Sequence, residues 1–196
     1  MTIELVNLCK SYGGHVVLDH VSASIEWGKC YGFVGEGGCG KSTLLKLFMG
    51  TEKPDEGEVR RMGDYKYPSL HSAYVSQEGV GNLKKNAIRN VQMRYRRIGK
   101  KGAVEELSKF MSPERMKLPL GELSAVERRM VEIIGACVMP ADFFVFDEPF
   151  AGMDREERAK AIAYILEARG TRPLLIATRE EEILSEIPQI KVYHLS

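Results

Sequence analysis

This chain of 196 residues lacks any apolar run long enough to span a bilayer, has few cysteines and carries almost no net charge. Each absence closes off a class of function. A membrane-crossing helix takes about 18 or more consecutive apolar residues, and no segment supplies them. The N-terminal segment MTIELVNLCK alternates like a strand and lacks the charged start and apolar stretch of a secretory signal. If the protein works at a membrane, something else must anchor it. Cys9, Cys30, Cys39 and Cys137 are scattered, with no C-x-x-C pair and no histidine nearby at ligand spacing. This argues against a disulfide framework or a zinc site and for reduced thiols. A net charge of +1 leaves no global field to attract nucleic acid, so any basic partner surface must be local. Internal repeats and low-complexity tracts are also missing. What remains is an ordinary globular composition, 44% hydrophobic and 28% charged, on a chain long enough to bury about 70% of its unfolded surface.

One stretch stands out against this background. Gly35-Glu36-Gly37-Gly38-Cys39-Gly40-Lys41-Ser42-Thr43 fits G-x-x-x-x-G-K-[ST], the loop that holds nucleotide phosphates through backbone N–H groups, a lysine ammonium and a metal-binding hydroxyl. Its surroundings fit as well. Lys29 to Val34 reads as a buried strand feeding the loop, and Leu44, Leu45, Leu47 and Phe48 give one apolar side to a helix that stops at Gly50. Phosphates would therefore meet a helix N-terminus, where unpaired N–H groups and the macrodipole favour negative charge. The expected ligand is ATP or GTP.

Short strand-like runs at Thr2 to Val6, Val16 to Leu18, Val21 to Ile25 and Lys29 to Val34, broken by turns at Tyr12-Gly13-Gly14 and Trp27-Gly28, predict an antiparallel element leading into the loop. Further strands are expected at Glu58 to Arg60, Ala73 to Ser76, Phe143 to Phe146, Leu174 to Ala177 and Ile190 to His194, with helical patterns between them. That alternation is an α/β sheet. Residues 80 to 120 differ: they are polar and basic, with an amphipathic stretch on Val104, Leu107, Phe110 and Met111 and prolines at 113 and 119, and read as a mainly helical insertion.

Phe143-Phe144-Val145-Phe146-Asp147-Glu148 is an apolar strand ending in two acids, which puts both carboxylates at the carboxyl edge of a sheet, where α/β folds bind ligands. Alone, they read as a solvated strand end. Beside a phosphate loop, Asp147 fits the aspartate that completes a Mg²⁺ site with Ser42, and Glu148 the group that orients or deprotonates the attacking water.

With these residues in place the chain resembles, nearly end to end, the ATPase subunit of an ATP-binding cassette (ABC) transporter. The resemblance implies an α/β fold: a P-loop NTPase core of ATP-binding cassette type, with an N-terminal antiparallel β subdomain and a small helical subdomain. As a domain plan it implies one cassette over residues 1–196, with the RecA-like core and β subdomain over about 1–79 and 140–196 and the helical subdomain over about 80–139. Tyr12 stands where the family places an aromatic that stacks on adenine, with Val17 at the matching offset. Ser76-Gln77 resembles the Q-loop, whose glutamine reaches Mg²⁺ and the attacking water and contacts the transmembrane partner. Leu123-Ser124-Ala125-Val126-Glu127 occupies the place of the LSGGQ signature, 24 residues before Asp147 as in the family. Gly152-Met153-Asp154 resembles the D-loop, and Thr178-Arg179 follows a strand where the family has Thr-His.

Two departures bear on chemistry. In the family, ATP is held between the phosphate loop of one subunit and the signature of another. Here the second signature glycine is Val126 and the glutamine is Glu127. Ser124 and Glu127 still form an S-x-x-E capping box, and Met130, Ile133, Ile134, Cys137 and Val138 give the following helix an apolar face. A carboxylate about 6 Å from phosphate would nonetheless cost up to about 3 kcal/mol per unit phosphate charge at an effective dielectric of about 20. The expectation is a signature that partners ATP weakly. Arg179 replaces the switch histidine, and a permanent cation cannot reproduce a neutral imidazole. Losing one transition-state donor typically costs about 10² to 10³ in rate, which implies slow hydrolysis. Two orientations of Arg179 are open: it clamps phosphate, or it turns outward to pair with Glu180-Glu181-Glu182.

The resemblance implies an ATPase that uses ATP and Mg²⁺, sits on the cytoplasmic face of a membrane without spanning it, and works with a transmembrane transporter subunit and a second cassette. The alternative is a weakly hydrolysing regulatory or structural nucleotide-binding subunit. A homodimer would place the altered signature and Arg179 in both composite sites, which favours pairing with a better-equipped cassette. Between residues 79 and 104 lie eight basic side chains (Lys84, Lys85, Arg89, Arg94, Arg96, Arg97, Lys100, Lys101) and no acid. A solvated helical face and a contact with a membrane protein or anionic lipid both explain this run; nucleic acid fits less well, since Tyr95 is the only interleaved aromatic.

Overall fold

The computed structural model describes residues 2–62, 70–79 and 81–196. In chain order these form β1 (Thr2–Tyr12), β2 (His15–Glu26), β3 (Cys30–Val34), α1 (Lys41–Met49), β4 (Glu56–Met62), β5 (Ser72–Val75), α2 (Ala87–Arg94), α3 (Gly99–Ser108), α4 (Pro113–Lys117) and α5 (Ala125–Cys137). Then follow β6 (Phe143–Asp147), α6 (Arg155–Arg169), β7 (Leu174–Thr178), α7 (Glu181–Leu184) and β8 (Ile190–His194). They gather into two compact units, one of Met1–Ser72, Ala141–Glu148 and Arg169–Ser196, the other of Ala73–Pro140 and Pro149–Ala168. Val80, where the sequence reading starts the helical subdomain, lies outside the described residues.

The first unit holds two sheets. One is antiparallel, ordered β2-β1-β4. Its first hairpin turns at Gly13 and Gly14, both at positive φ (56° and 85°), with Tyr12 opposite His15. Sequence patterning breaks the second strand into Val16–Leu18 and Val21–Ile25 and ends the first at Val6; both strands in fact run on. The apparent breaks are bulges. Asn7 and His20 adopt left-handed φ of 49° and 48°, and each bulge switches the buried positions from one parity to the other, Ile3 and Leu5 then Leu8, Leu18 then Ala23 and Ile25.

The other sheet is parallel, with β6, β7, β3 and β8 side by side. Every residue of CYGFV, FFVFD and LLIAT is buried, as expected of parallel strands covered on both faces. Helix α1 buries Leu44, Leu45, Leu47 and Phe48 and ends at Gly50, as its apolar spacing and terminal glycine predict. Phe143 packs edge-on against both Phe48 and Trp27 at 5.2 Å. The aromatic residues that make β6 legible as a buried strand therefore also seat α1, the helix that starts at the phosphate loop.

The second unit is mainly helical. Asn86 caps α2, its side chain accepting from the Arg89 N–H at 2.9 Å, and buried Asn90 uses its amide to bind the backbone at Asn82, Lys85 and Asn86. Pro113 opens α4 with Ser112 as its cap. Helix α3 buries Ala103 and Leu107 but leaves Val104 half-buried and stops before Phe110 and Met111, of which Met111 is buried. The predicted amphipathic stretch is thus a helix plus the turn beyond it. No helix among the described residues is long and apolar enough to cross a membrane.

Candidate functional site

The register of the parallel sheet assembles the site. Phe33 and Asp147 both pair with Ala177, and Val34 pairs with Thr178, so β3, β6 and β7 end level. The Glu148 N–H continues the ladder to the Ala177 carbonyl at 2.8 Å. Three chain segments then leave the same carboxyl edge: the loop from Gly35, the pair Asp147-Glu148, and Thr178-Arg179.

The loop is shaped by its glycines and its lysine. Gly40, at φ 90°, precedes α1; a Cβ there would overlap the Val17 carbonyl oxygen and lie 2.7 Å from Leu18 Cδ2. The Gly40 carbonyl accepts the first helical bond from Leu44 at 2.8 Å, and no side chain caps the helix. Its first N–H groups therefore remain for an anion. Lys41 is buried, its Nζ donating to the carbonyls of Gly35 (2.6 Å) and Glu36 (2.8 Å), with Cys39 Sγ at 3.8 Å. Ser42 and Thr43 are half-buried in the first turn of α1. Gly37 and Gly38 form the outer curve. A Cβ on Gly37 would lie 3.2 Å from Arg179 Nη2, whereas one on Gly38 meets nothing.

At the end of β6, Asp147 is buried and Glu148 takes a left-handed φ of 49°, uncommon for a residue with a side chain and frequent at functional sites. Glu148 Oε2 accepts from Thr178 Oγ1 at 3.3 Å, and Oε1 lies 3.7 Å from Arg179 Nε. Burial pushes the Glu148 carboxyl above its ordinary range and neighbouring Asp147 adds to this; the Arg179 backbone, the Lys41 charge and the Thr178 hydroxyl oppose it. Glu148 Oε1 is buried without a hydrogen bond among the described residues. The set of a hydroxyl, two carboxylates and a spare buried oxygen acceptor is hard, the kind that suits Mg²⁺. The side chain of Arg179, 58% exposed, stands beside Glu148 and Gly37.

Tyr12 and Val17 lie near the tip of the β1–β2 hairpin. The Tyr12 ring is exposed, with Lys10 Nζ 5.4 Å from its centroid, and the Val17 backbone packs against Gly40.

The remaining expected residues belong to the second unit. Gln77 is exposed in the turn after β5, and Arg129 of α5 fixes that turn by donating to the carbonyls of Ser76 and Gln77, both at 2.6 Å, while pairing with Glu132 at 3.1 Å. Ser124 caps α5, accepting from the Glu127 N–H at 3.1 Å, while Glu127 reaches back to the Ser124 N–H at 2.8 Å. Glu127 is also gripped by both arms of Arg115, Nε at 2.7 Å and Nη2 on the other oxygen. The carboxylate is thus folded back onto its own helix cap and paired with a guanidinium. Arg115, twelve residues away in sequence, leaves no signal by which to find it, and neither does Arg129. Asp154 forms a second reciprocal cap with Glu157, its Oδ1 accepting at 2.8 Å.

The Arg115 bond, with help from Ser124, holds the Glu127 carboxyl down to about 2 from an ordinary 4.5. A lowered folded-state value stabilises the fold above the unfolded value and is lost as pH falls through the folded one. Arg115→Ala is therefore expected to lower the urea midpoint at pH 7, and the difference from the parent should shrink as pH falls below about 4.5. A difference independent of pH would remove the ion pair as its cause.

The chain is similar to known proteins over most of its length. Residues 18–151 match the family model described as ABC transporter. The chain is 30% identical to the ribose import ATP-binding protein RbsA of Halalkalibacterium halodurans, over 98% of this chain and 42% of that protein. It is 28% identical to the Nod factor export ATP-binding protein I of Sinorhizobium fredii, over 81% of this chain and 49% of that one. The chain thus spans less than half the length of these curated relatives. A Pyrococcus furiosus structure described as a putative ABC transporter ATP-binding protein superposes with a TM-score of 0.82 at 25% identity, covering 98% of this chain and 97% of that one. An ATP-binding cassette solved as a dimer with ADP and Pi shares the fold at a TM-score of 0.83 and 20% identity, over 99% and 94% of the two chains. With more than half of its length matched by the family model, this chain belongs to the ABC transporter family.

Proposed function

We propose that this chain binds MgATP at the carboxyl edge of β3, β6 and β7 and hydrolyses it as the ATP-binding subunit of a transporter. It would sit on the cytoplasmic face of a membrane and work with a transmembrane partner and a second cassette. The observation that carries this reading is the common edge from which the phosphate loop, Asp147-Glu148 and Thr178-Arg179 emerge. The N–H groups at the start of α1 and the Lys41 ammonium take the phosphates, and Tyr12 with Val17 takes the adenine. A Mg²⁺ held by Ser42 and Asp147 would neutralise phosphate charge. Glu148, its proton affinity raised by burial, accepts the proton of the attacking water. Arg179 offers its charge to the γ-phosphate from its place beside Gly37. Ser124 would serve the nucleotide of a partner cassette. The role of Gln77 rests on resemblance alone.

The contact between Arg179 and Glu148 also favours a second reading, a regulatory subunit with little turnover, because a cation beside the base lowers its basicity. The basic run contributes Lys84, Lys85, Arg89 and Lys100 to a groove of about 500 Å³ completed by Lys117 and Asn86, a surface suited to an acidic segment of the transmembrane partner. Calorimetric titration of the full chain with MgATP tests the nucleotide proposal: the parent should bind, and Lys41→Ala should weaken binding by at least about tenfold through loss of a charge-assisted bond. A parent that gives no heat, or a variant that binds as well, ends the proposal.

A further inference from the structure

The bulges at Asn7 and His20 do more than shift the register of the antiparallel sheet. Where β1, β2 and β4 lie side by side, Cys9, His20 and Glu56 each offer one ligand atom, and these three atoms lie within 4.8 Å of one another. Each comes from a different strand. Cys9 is the register partner of Glu56 on β4, and His20 reaches Cys9 from β2, where its backbone N–H donates to Cys9 Sγ at 3.3 Å. Left-handed Asn7 and His20 make this possible: with unbroken alternation, β1 and β2 would present other side chains here. The bulge is itself tied down, the Asn7 N–H donating to Ser22 Oγ at 2.9 Å and that hydroxyl returning to Asn7 Oδ1 at 3.1 Å.

The histidine has a carboxylate beside it. Asp19 Oδ1 lies 2.6 Å from His20 Nδ1. In the tautomer with its proton on Nδ1, the ring holds this contact and keeps the Nε2 lone pair for a metal. A carboxylate behind an imidazole is the arrangement that raises the basicity of metal-bound histidines and fixes their tautomer. A thiolate, an imidazole and a carboxylate form a borderline-soft set that Mg²⁺, which prefers oxygen ligands, does not favour and Zn²⁺ does. Cys9 is half-buried while His20 and Glu56 are exposed, so a bound ion would keep a coordination position open to solvent.

We propose that Cys9, His20 and Glu56 form a three-ligand site for Zn²⁺ or a similar borderline divalent cation, with Asp19 as the positioning residue behind His20. Binding takes the Cys9 thiol as thiolate and releases its proton to the buffer. The ion ties the three strands β2, β1 and β4 together on their solvent face. Sequence spacing hides the site because its ligands are eleven and thirty-six residues apart. This site is independent of the nucleotide-binding proposal and can be tested without ATP.

The test uses the reduced full chain with Zn²⁺ by competition against a chromophoric chelator, and with Co²⁺ by absorption. One Zn²⁺ per chain at micromolar concentration, a near-ultraviolet sulfur-to-cobalt band, and a melting temperature that rises with Zn²⁺ are expected. Cys9→Ser should abolish the band, and Asp19→Ala should weaken Zn²⁺ binding by about 10- to 100-fold. Cys39→Ser should leave both signals intact. All three variants can be checked for folding by their metal-free circular dichroism. Absence of stoichiometric binding in the parent, or equal affinity in Cys9→Ser, overturns the proposal; so does a band lost with Cys39 instead, which would place the ion at the phosphate loop.

Discussion

Replacing Glu148 with glutamine is expected to lower ATP turnover by about 10²- to 10⁴-fold, the usual contribution of a general base, while MgATP binding stays intact. The substitution keeps shape and the Thr178 Oγ1 bond to a side-chain oxygen but removes the proton acceptor. Because burial and Asp147 raise the Glu148 carboxyl above its ordinary range, the parent should also lose activity on the acid side at a higher pH than a solvent-exposed carboxylate would dictate. The sign follows from the chemistry: the base works only when ionised, so turnover rises with pH through that shifted value. Steady-state hydrolysis across pH, with binding measured separately, checks both parts. If the assembled complex carrying Glu148→Gln turns over ATP at the parental rate, Glu148 is not the base and this subunit is not the source of the hydrolysis.

Much of this site is legible from sequence because its chemistry is local. A phosphate loop occupies nine consecutive residues, and the acid pair closes an apolar strand; neither needs a distant partner to be recognised. The buried strands CYGFV, FFVFD and LLIAT are legible for the same reason, since full burial leaves a continuous apolar run. The antiparallel sheet is less legible. A bulge breaks the alternation on which strand reading depends, so β2 reads as two strands around Asp19-His20.

What sequence does not show is which charges meet. Glu127 reads as an unpaired charge because its partner Arg115 comes from another helix. The sequence offers Arg179 phosphate or the glutamates that follow it, and neither reading includes Glu148, which the level ending of β6 and β7 brings to 3.7 Å from its Nε. The same limitation hides Cys9, His20 and Glu56, three residues on three strands. Local motifs declare themselves; long-range pairs wait for the register.

The clearest mechanical test of the phosphate loop compares two glycines with nearly the same φ. Gly38 and Gly40 have φ of 89° and 90°, so alanine at either position carries a similar left-handed strain, about 1–2 kcal/mol. Their surroundings differ. At Gly38 a Cβ meets nothing within 4 Å, whereas at Gly40 it runs into the Val17 carbonyl and Leu18. Backbone on a paired strand cannot give way as a side-chain tip can, so Gly40→Ala must displace the start of α1 and with it the N–H groups that would face phosphate. Losing one charge-assisted bond costs about 1.5–3 kcal/mol, or roughly 10- to 150-fold in affinity. Gly40→Ala is therefore expected to weaken MgATP binding by at least that factor beyond Gly38→Ala, and to melt at a lower temperature without nucleotide. Equal affinities in the two variants would mean that the contact between the loop and the β1–β2 hairpin does not set the geometry of phosphate binding.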